Sequence, residues 1–502
     1  MFRPEILRLS VEMTGLSNSA DSAPASPNNG TEPPMMRTNG GEQMGGSEAA
    51  HIRIDEIIRR LDAAEKEAQA QVVEARREIF RVPGRHRLAD EDAYQPSLFS
   101  VGPYHRHGTE EMGRNELTKV RLMKLQLGAD ADQAASLQRE CLLSMASLEQ
   151  EARRCYDGDV AMDSGEFCMM LLVDGAFLIA MLTAFGIQEQ DDAPANKEEE
   201  EDSGPGTGSR TQKRVLVDGF LDLVLLENQI PFFVVHSIFG LLVDHAGTTL
   251  AKTAWNAVRN FMQHIPTASN ADDVKEDCKH LVDLCHTYLR PAGWQQAAAA
   301  GGGHIQRFRT ATEYRESGVR FRVRSDSEPA PRFGLLDVDF SGGVVTMSRH
   351  VIDEKMSCVF RNVLAFEQDS GAGVERDAYV TAYVVFMSQL LGSAGDVAVL
   401  SRSGVMEHSL GNDGDACALF RGLARGLAFD TDGDHYLRGV GLELNRHHGR
   451  RLNRWLAWVA RRHFDNPWLI LAWLAAAVLL LCTLVQTVFA VMSYRPSAKL
   501  NS

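Results

Sequence analysis

Glu227, Asn228 and Gln229 stand in an unbroken row between Leu223-Val224-Leu225-Leu226 and Ile230-Pro231-Phe232-Phe233. A carboxylate and two amides inside an apolar run cost free energy unless they are partnered. Two chemistries meet that demand. One is a buried hydrogen-bond network that fixes a helix break ahead of Pro231, whose ring removes a helical N–H. The other is a polar triad that contacts a ligand, with Glu227 as the group able to move a proton. Phe366-Glu367-Gln368 is a weaker instance of the same pattern.

Other candidates are thinner. His105 and His107, beside Tyr104, could serve acid–base work or ligate a metal, because an imidazole titrates near neutral pH. Gly102-Pro103 and Gly108 place them in a loop, where paired histidines are ordinarily surface residues. Cys278, His280, Cys285 and His286 offer zinc-type ligands on an expected helix. Ligands on one helical face need i,i+3 or i,i+4 spacing, whereas Cys278 and Cys285 are seven apart, so a core-facing Cys285 and a solvated His286 are expected instead. Asn412-Asp413-Gly414-Asp415 and Asp430-Thr431-Asp432-Gly433-Asp434 resemble parts of a calcium loop, but the first lacks the twelfth-position Glu and the second has its Gly misplaced. No GxxxxGK(S/T), HExxH, GxSxG or CxxC occurs. The expectation is no catalytic residue, no cofactor and no metal.

The elements that must position these residues begin with an ordinary globular balance. Of 502 residues 44% are hydrophobic and 24% charged, which excludes a collagenous fibre and a chain disordered throughout. Length alone allows about two to four domains. Fifty-two Lys and Arg against 67 Asp and Glu give a net charge of −15, which excludes a nucleic-acid partner bound by overall positive charge. Eight cysteines are too sparse for a disulfide scaffold. Eight acids against Lys197 in residues 188–202, then Ser-Gly-Pro-Gly-Thr-Gly-Ser, predict a solvated acidic loop over 188–210. Residues 446–463 carry six arginines and no acid.

Residues 468–492 hold no charge and are rich in Leu, Ala and Val. About 20 apolar residues cross a hydrocarbon core of ~30 Å, so one C-terminal transmembrane helix is expected. Trp468, Trp473 and Tyr494 near its ends suit the interface, and Arg461 and Arg462 suit the cytosolic side. The arginine excess upstream predicts a cytosolic N-terminal body, with a short tail, 493–502, across the membrane. Dispersed cysteines and the lack of an apolar stretch in residues 1–15 agree with that orientation.

Residues 1–50, rich in Ser, Asn, Gly and Pro, read as a disordered extension. In 51–78, Ile54, Ile57, Ile58, Leu61, Ala68 and Val72 recur at helical spacing, with acid-to-base i,i+4 pairs such as Asp55–Arg59, so an amphipathic helix is expected. Helical patterns follow over 116–127, 134–155, 164–185, 215–245 with a break at Pro231, 255–264, 271–289 and 377–391, with a linker at 295–303. Alternation over 319–323, and Gly342-Gly343 between Leu335-to-Phe340 and Val344-to-Met347, predict a small β-hairpin insertion. The fold class is mainly α (α+β): a helix-rich body over 79–465 with that insertion and one membrane helix.

The motifs also resemble a known family. Ile79-Phe80-Arg81-Val82-Pro83, Ser100-Val101-Gly102-Pro103-Tyr104-His105, Phe167 through Gly175, Leu225-Leu226-Glu227-Asn228-Gln229-Ile230-Pro231-Phe232-Phe233, Asn362 through Gln368 and Asn466-Pro467-Trp468 are similar, in order, to the plant-specific domain of unknown function 247, also known as UPF0481-type plant membrane proteins. The resemblance covers about residues 79–492 and implies a helix-rich plant protein with a C-terminal membrane segment and no established activity or cofactor. Some grass members are associated with self-incompatibility loci, where they look like pollen-side recognition determinants. The long N-terminal extension, the acidic insert and Ala176, where Cys often follows Asp-Gly, depart from the common pattern. The expected function is membrane-anchored, non-enzymatic recognition or signalling through an unidentified protein partner. The alternatives are an enzyme or small-molecule sensor using Glu227 or the His105/His107 loop, and a general membrane tether whose arginines touch anionic lipid.

Overall fold

The computed structural model describes residues 59–60, 78–87, 91–106, 110–187, 207–243, 248–263, 265–269, 278–292, 294, 304–305, 307–324, 333–368, 377–450 and 467–493. The helices of the N-terminal half are α1 (Glu110–Gln126), α2 (Ala131–Arg154), α3 (Ser164–Ile187), α4 (Thr207–Leu223), α5 (Phe232–Leu242), α6 (Leu250–Phe261) and α7 (Leu281–Leu289). At their centre lies α3, which packs against α1, α2, α5 and α6. It is apolar on every side, as a helix surrounded by other helices must be. Its length and hydropathy would suit a membrane span, yet 83% of that stretch is buried inside the body. Gly175 is what lets α5 approach: a Cβ there would collide with Ile238 Cδ1.

The second half adds α8 (Ala311–Glu316), α9 (Glu354–Gln368), α10 (Tyr379–Leu390), α11 (Ala394–Arg402), α12 (Asp413–Leu423) and α13 (Arg438–Gly449). Thr310 and Glu313 form a reciprocal capping box at the start of α8, satisfying two of its orphan amides. The expected hairpin is present as β2 (Val338–Ser341) and β3 (Val344–Met347), paired antiparallel with Phe340 opposite Val345. Gly342 and Gly343 both take positive φ, +57° and +81°, the geometry a two-residue turn of primed type requires. Strand β1 (Arg320–Val323) joins β3 in parallel, and β4 (His350–Ile352) pairs in parallel with β5 (Met406–His408). That second sheet was not expected from sequence, because three-residue strands carry too little alternation to see.

Pro467 to Ser493 form α14, the expected C-terminal helix. Over Leu474–Ser493 none of the apolar stretch is buried, the opposite of α3. Its hydroxyls are satisfied within the helix: Thr483 and Thr487 donate to the carbonyls of Leu479 and Thr483 at 2.7 and 2.6 Å. Such internal bonding is what a hydrocarbon environment demands. The helix is therefore long and apolar enough to span a membrane.

Several expectations need correction. Of the helix expected over 271–289, residues 271–277 lie outside the described residues and 278–280 are not helical; α7 begins at Leu281, capped by extended His280, whose Nδ1 accepts the Asp283 N–H. Of the acidic loop expected over 188–210, residues 207–210 are helical, the start of α4, and residues 188–206 lie outside the described residues. The first helix starts at Glu110, six residues before the expected 116. Residues 1–50, the linker 295–303, and Arg461, Arg462 and Tyr494 lie outside the described residues, as do the side chains of Trp468 and Trp473. Of 51–78 the described residues are Arg59 and Arg60, helical and exposed, and Glu78, which is not helical.

Candidate functional site

Between α4 and α5 the chain makes a tight turn, and all three polar residues of the row are buried there. Asn228 accepts the Val101 N–H on Oδ1 at 2.6 Å and donates to the carbonyls of Phe99 and Asp222, both at 2.9 Å. Gln229 donates to the carbonyls of Leu223 and Leu225 at 2.6 and 2.7 Å, and its Oε1 accepts the Leu281 N–H at 3.0 Å. Glu227 Oε1 accepts the Val82 N–H at 2.5 Å and the Arg87 guanidinium. His105 Nε2 stands 3.3 Å from Glu227 Oε2, near enough for an ion pair when the ring is protonated but without hydrogen-bond geometry. Burial alone would raise the Glu227 carboxyl; the His105 ring, the Val82 amide and Arg87 together outweigh it and hold the group below the usual carboxylate value.

What these side chains grip is the irregular segment 79–106. Two more carboxylates do the same. Asp222, near the end of α4, takes the amides of Ser97, Leu98 and Phe99 at 2.8, 2.7 and 2.9 Å; burial nonetheless leaves its pKa raised. Asp174, an acid midway along apolar α3, accepts the Gly102 N–H at 3.0 Å and the buried Lys119 ammonium at 2.5 Å. Lys119 also donates to the Ser100 carbonyl at 2.6 Å. Gly102 has φ +76°, and a Cβ there would strike the Gln229 carbonyl, so this crossing of loop and turn admits glycine alone without strain.

A second buried set ties α9 to α7 and α10. Glu367 accepts the Val380 N–H at 2.9 Å, the Thr381 N–H at 2.6 Å, the Thr381 hydroxyl at 2.7 Å and the His286 ring at 2.9 Å. His286 is thus buried and bonded, contrary to the solvated position expected for it. Gln368 binds the Ala428 backbone in both directions, at 2.7 and 3.2 Å. Asn362 Oδ1 accepts the Leu226 N–H at 2.9 Å, which joins the two sets.

His350, fully enclosed on β4, stacks on Tyr383 and hydrogen-bonds its hydroxyl and the Ser348 carbonyl. Burial pushes its pKa down to about 4. A folded-state value below the ordinary 6.5 means protonation favours the unfolded chain; this stability is whole above pH 6.5 and lost as pH falls toward 4. His86 and His435, lowered by burial as well, act in the same direction. Denaturant unfolding at pH 7 and pH 4.5 should differ by about 2–3 kcal/mol through His350 alone. An unchanged midpoint across that window would contradict a neutral buried imidazole.

The other sequence candidates do not assemble. His280 caps α7 and meets the Glu78 carbonyl at 3.0 Å, while Cys285 faces the core. Burial raises the thiols of Cys278, Cys285 and Cys358, the last to about 12, so the thiolate that a metal or a nucleophilic step requires is disfavoured. Asn412 caps α12, and Asp432 accepts the Ile305 N–H at 2.9 Å and the His304 ring at 2.5 Å. His107 lies outside the described residues. Among the described residues no three His, Cys, Asp or Glu side chains converge as metal ligands. Asp174, Asp222 and Lys119 were not singled out from the sequence. An acid in the middle of apolar α3, beyond its first turn, was a signal for Asp174, since it had to be partnered; nothing in amphipathic α1 marks Lys119. Chemically the arrangement fastens one segment to a helical body. An apolar cavity of 540 Å³ between α1, α2 and the start of α3 is lined by none of these groups.

A family model described as plant protein of unknown function, DUF247, matches residues 79–482. The Arabidopsis thaliana UPF0481 protein At3g47200 is 26% identical over 450 residues, spanning 84% of this chain and 88% of its own. The putative UPF0481 protein At3g02645 of the same plant is 19% identical over 525 residues, spanning 86% and 93%. No solved structure matches.

Proposed function

Since the chain belongs to the plant family DUF247, whose function is unknown, we propose that it is a membrane-anchored, non-enzymatic recognition protein acting through protein–protein contacts. The observation that carries this reading is where the polar motif residues go. Asn228, Gln229, Glu367 and Gln368, and Glu227 through its Oε1, are hydrogen-bonded to backbone amides and carbonyls of their own fold, which supports a structural use of these motifs. Unpartnered apolar surface lies instead on α14, and the body bears exposed Leu117, Leu143 and Met169. In this reading α14 tethers the body, the arginines of 446–462 keep the body cytosolic, and ligands of the body are macromolecules. A pollen-side self-incompatibility determinant in a grass, which the family resemblance suggests, is its narrowest form.

One experiment on the full chain tests both halves. Alkaline carbonate should leave the protein in the membrane pellet, and a variant ending before Pro467 should move to the supernatant. Cross-linking before detergent capture should return a stoichiometric protein partner, and restriction of that partner to pollen or stigma would support the narrowest form. Retention of a small molecule with no protein partner would favour the enzyme or sensor alternative and sink the proposal.

A further inference from the structure

A short turn joins α1 to α2, and both helices pack on α3, yet they make little contact with one another. Between them lies a groove of 540 Å³ with α3 as its floor, within the range of about 300–1,000 Å³ usual for binding sites. Met123, Leu142, Met169 and Leu172 line it. Its rim is apolar as well: Met169 is 52% exposed, and Leu117 on α1 and Leu143 on α2 are each 64% exposed. Large apolar side chains gathered in water around one groove mark a contact surface.

We propose that this groove is the body's partner-binding surface and takes an amphipathic helix of the partner, acidic in its first turn and basic in its last. This deepens the recognition reading above and rests on it. Shape selects a helix. From Ser164 to Val173 the floor runs about 14 Å, and anchors at i, i+3, i+4 and i+7 of a docked helix span about 11 Å. An added strand would need a row of free backbone groups, which three helical walls do not offer.

Charge selects the polarity and the direction. At one end, Lys124 and Arg139 are exposed and enter no ion pair among the described residues; Lys124 donates to the neutral Gln138 amide oxygen at 2.5 Å. Ser164 lines the other end and donates to Glu149 at 2.5 Å, which lies about 17 Å along α2 from Gln138. There Asp163 and Glu166 are exposed and likewise enter no ion pair among the described residues. A helix laid between the two ends sets acids against Lys124 and Arg139, and bases against Asp163 and Glu166. Acids in the first turn and bases in the last also suit that helix's own macrodipole, so it runs parallel to α2. Apolar burial holds it, and the charges orient it.

A displayed library of random helical peptides tests this, selected on the full chain in phosphatidylcholine nanodiscs and counter-selected on Met169→Glu. Enriched sequences should carry large apolar residues at i, i+3, i+4 and i+7, with acids before them and bases after. Met169 is half-exposed, so the variant should melt as the natural chain does; if it does not, Leu143→Glu takes its place. The best peptide should bind Lys124→Glu about tenfold more weakly, and its charge-reversed version should prefer that variant. No enrichment over the counter-selected pool, peptides without that spacing, or equal binding of both peptides to both chains would overturn the proposal. So would a dimer of the natural chain that Met169→Glu dissolves, which would assign the groove to a second copy. If membrane cross-linking captures the same partner with Met169→Glu as with the natural chain, the groove proposal falls while the recognition reading stands.

Discussion

Lys119→Met should lower the unfolding free energy by about 3–5 kcal/mol, the cost of stranding one member of a buried ion pair. Both Lys119 and Asp174 are wholly enclosed, and the ammonium alone neutralises the carboxylate from inside the core. Arg106, 3.3 Å from Asp174, is part-exposed and approaches from the rim. Removing the ammonium also strands the Ser100 carbonyl, which loses its 2.6 Å donor. Against a typical total of about 5–15 kcal/mol, the loss is a large share of stability. A double variant, Lys119→Met with Asp174→Leu, should recover part of it, because no charge is then left buried; the non-additivity measures the pair directly. A single-variant cost below about 1 kcal/mol would mean that water reaches Asp174.

Glu227→Ala should cost about 2–4 kcal/mol and should do so by freeing one segment. The Val82 amide loses its acceptor, Arg87 its counter-ion, and His105 its neighbour at 3.3 Å. Arg87 is partly solvated and recovers some of the loss through water, which keeps the figure below that for Lys119. Limited proteolysis should then cut within 79–106 at a protease concentration that leaves the natural chain whole. Glu227→Gln should fall between the two, since an amide oxygen can still accept from Val82 but no longer balances Arg87. A Glu227→Ala chain with unchanged melting that loses a chemical turnover would show instead that the carboxylate works on a substrate.

The helical body was legible because its signals are local. α3 shows as an apolar run, the hairpin as Gly342-Gly343 between alternating strands, and α14 as a long stretch without charge. The Glu227-Asn228-Gln229 row announced itself by polarity in an apolar context, and one of the two chemistries inferred for it, a network fixing the turn before Pro231, is what its bonds form. Its partners could not be read. Val82, Val101 and Leu281 lie 145, 127 and 52 residues away, and backbone amides of a loop carry no side-chain signature. His286 was misplaced for the same reason, since its bond to Glu367 spans 81 residues. Lys119 looks like any surface lysine of an amphipathic helix until α3 supplies Asp174. Long-range polar pairing is the information that periodicity lacks.

The central claim is that the polar motifs are fastenings, spent on holding segment 79–106 to the helices. Native-state hydrogen exchange on the Val82, Val101 and Gly102 amides tests it most directly, since each donates to a motif carboxylate or amide. The account predicts that all three exchange with the slowest core amides, through global unfolding. Fast exchange at these three while α3 stays protected would show the segment detached and the motif side chains available for other chemistry, and would contradict it.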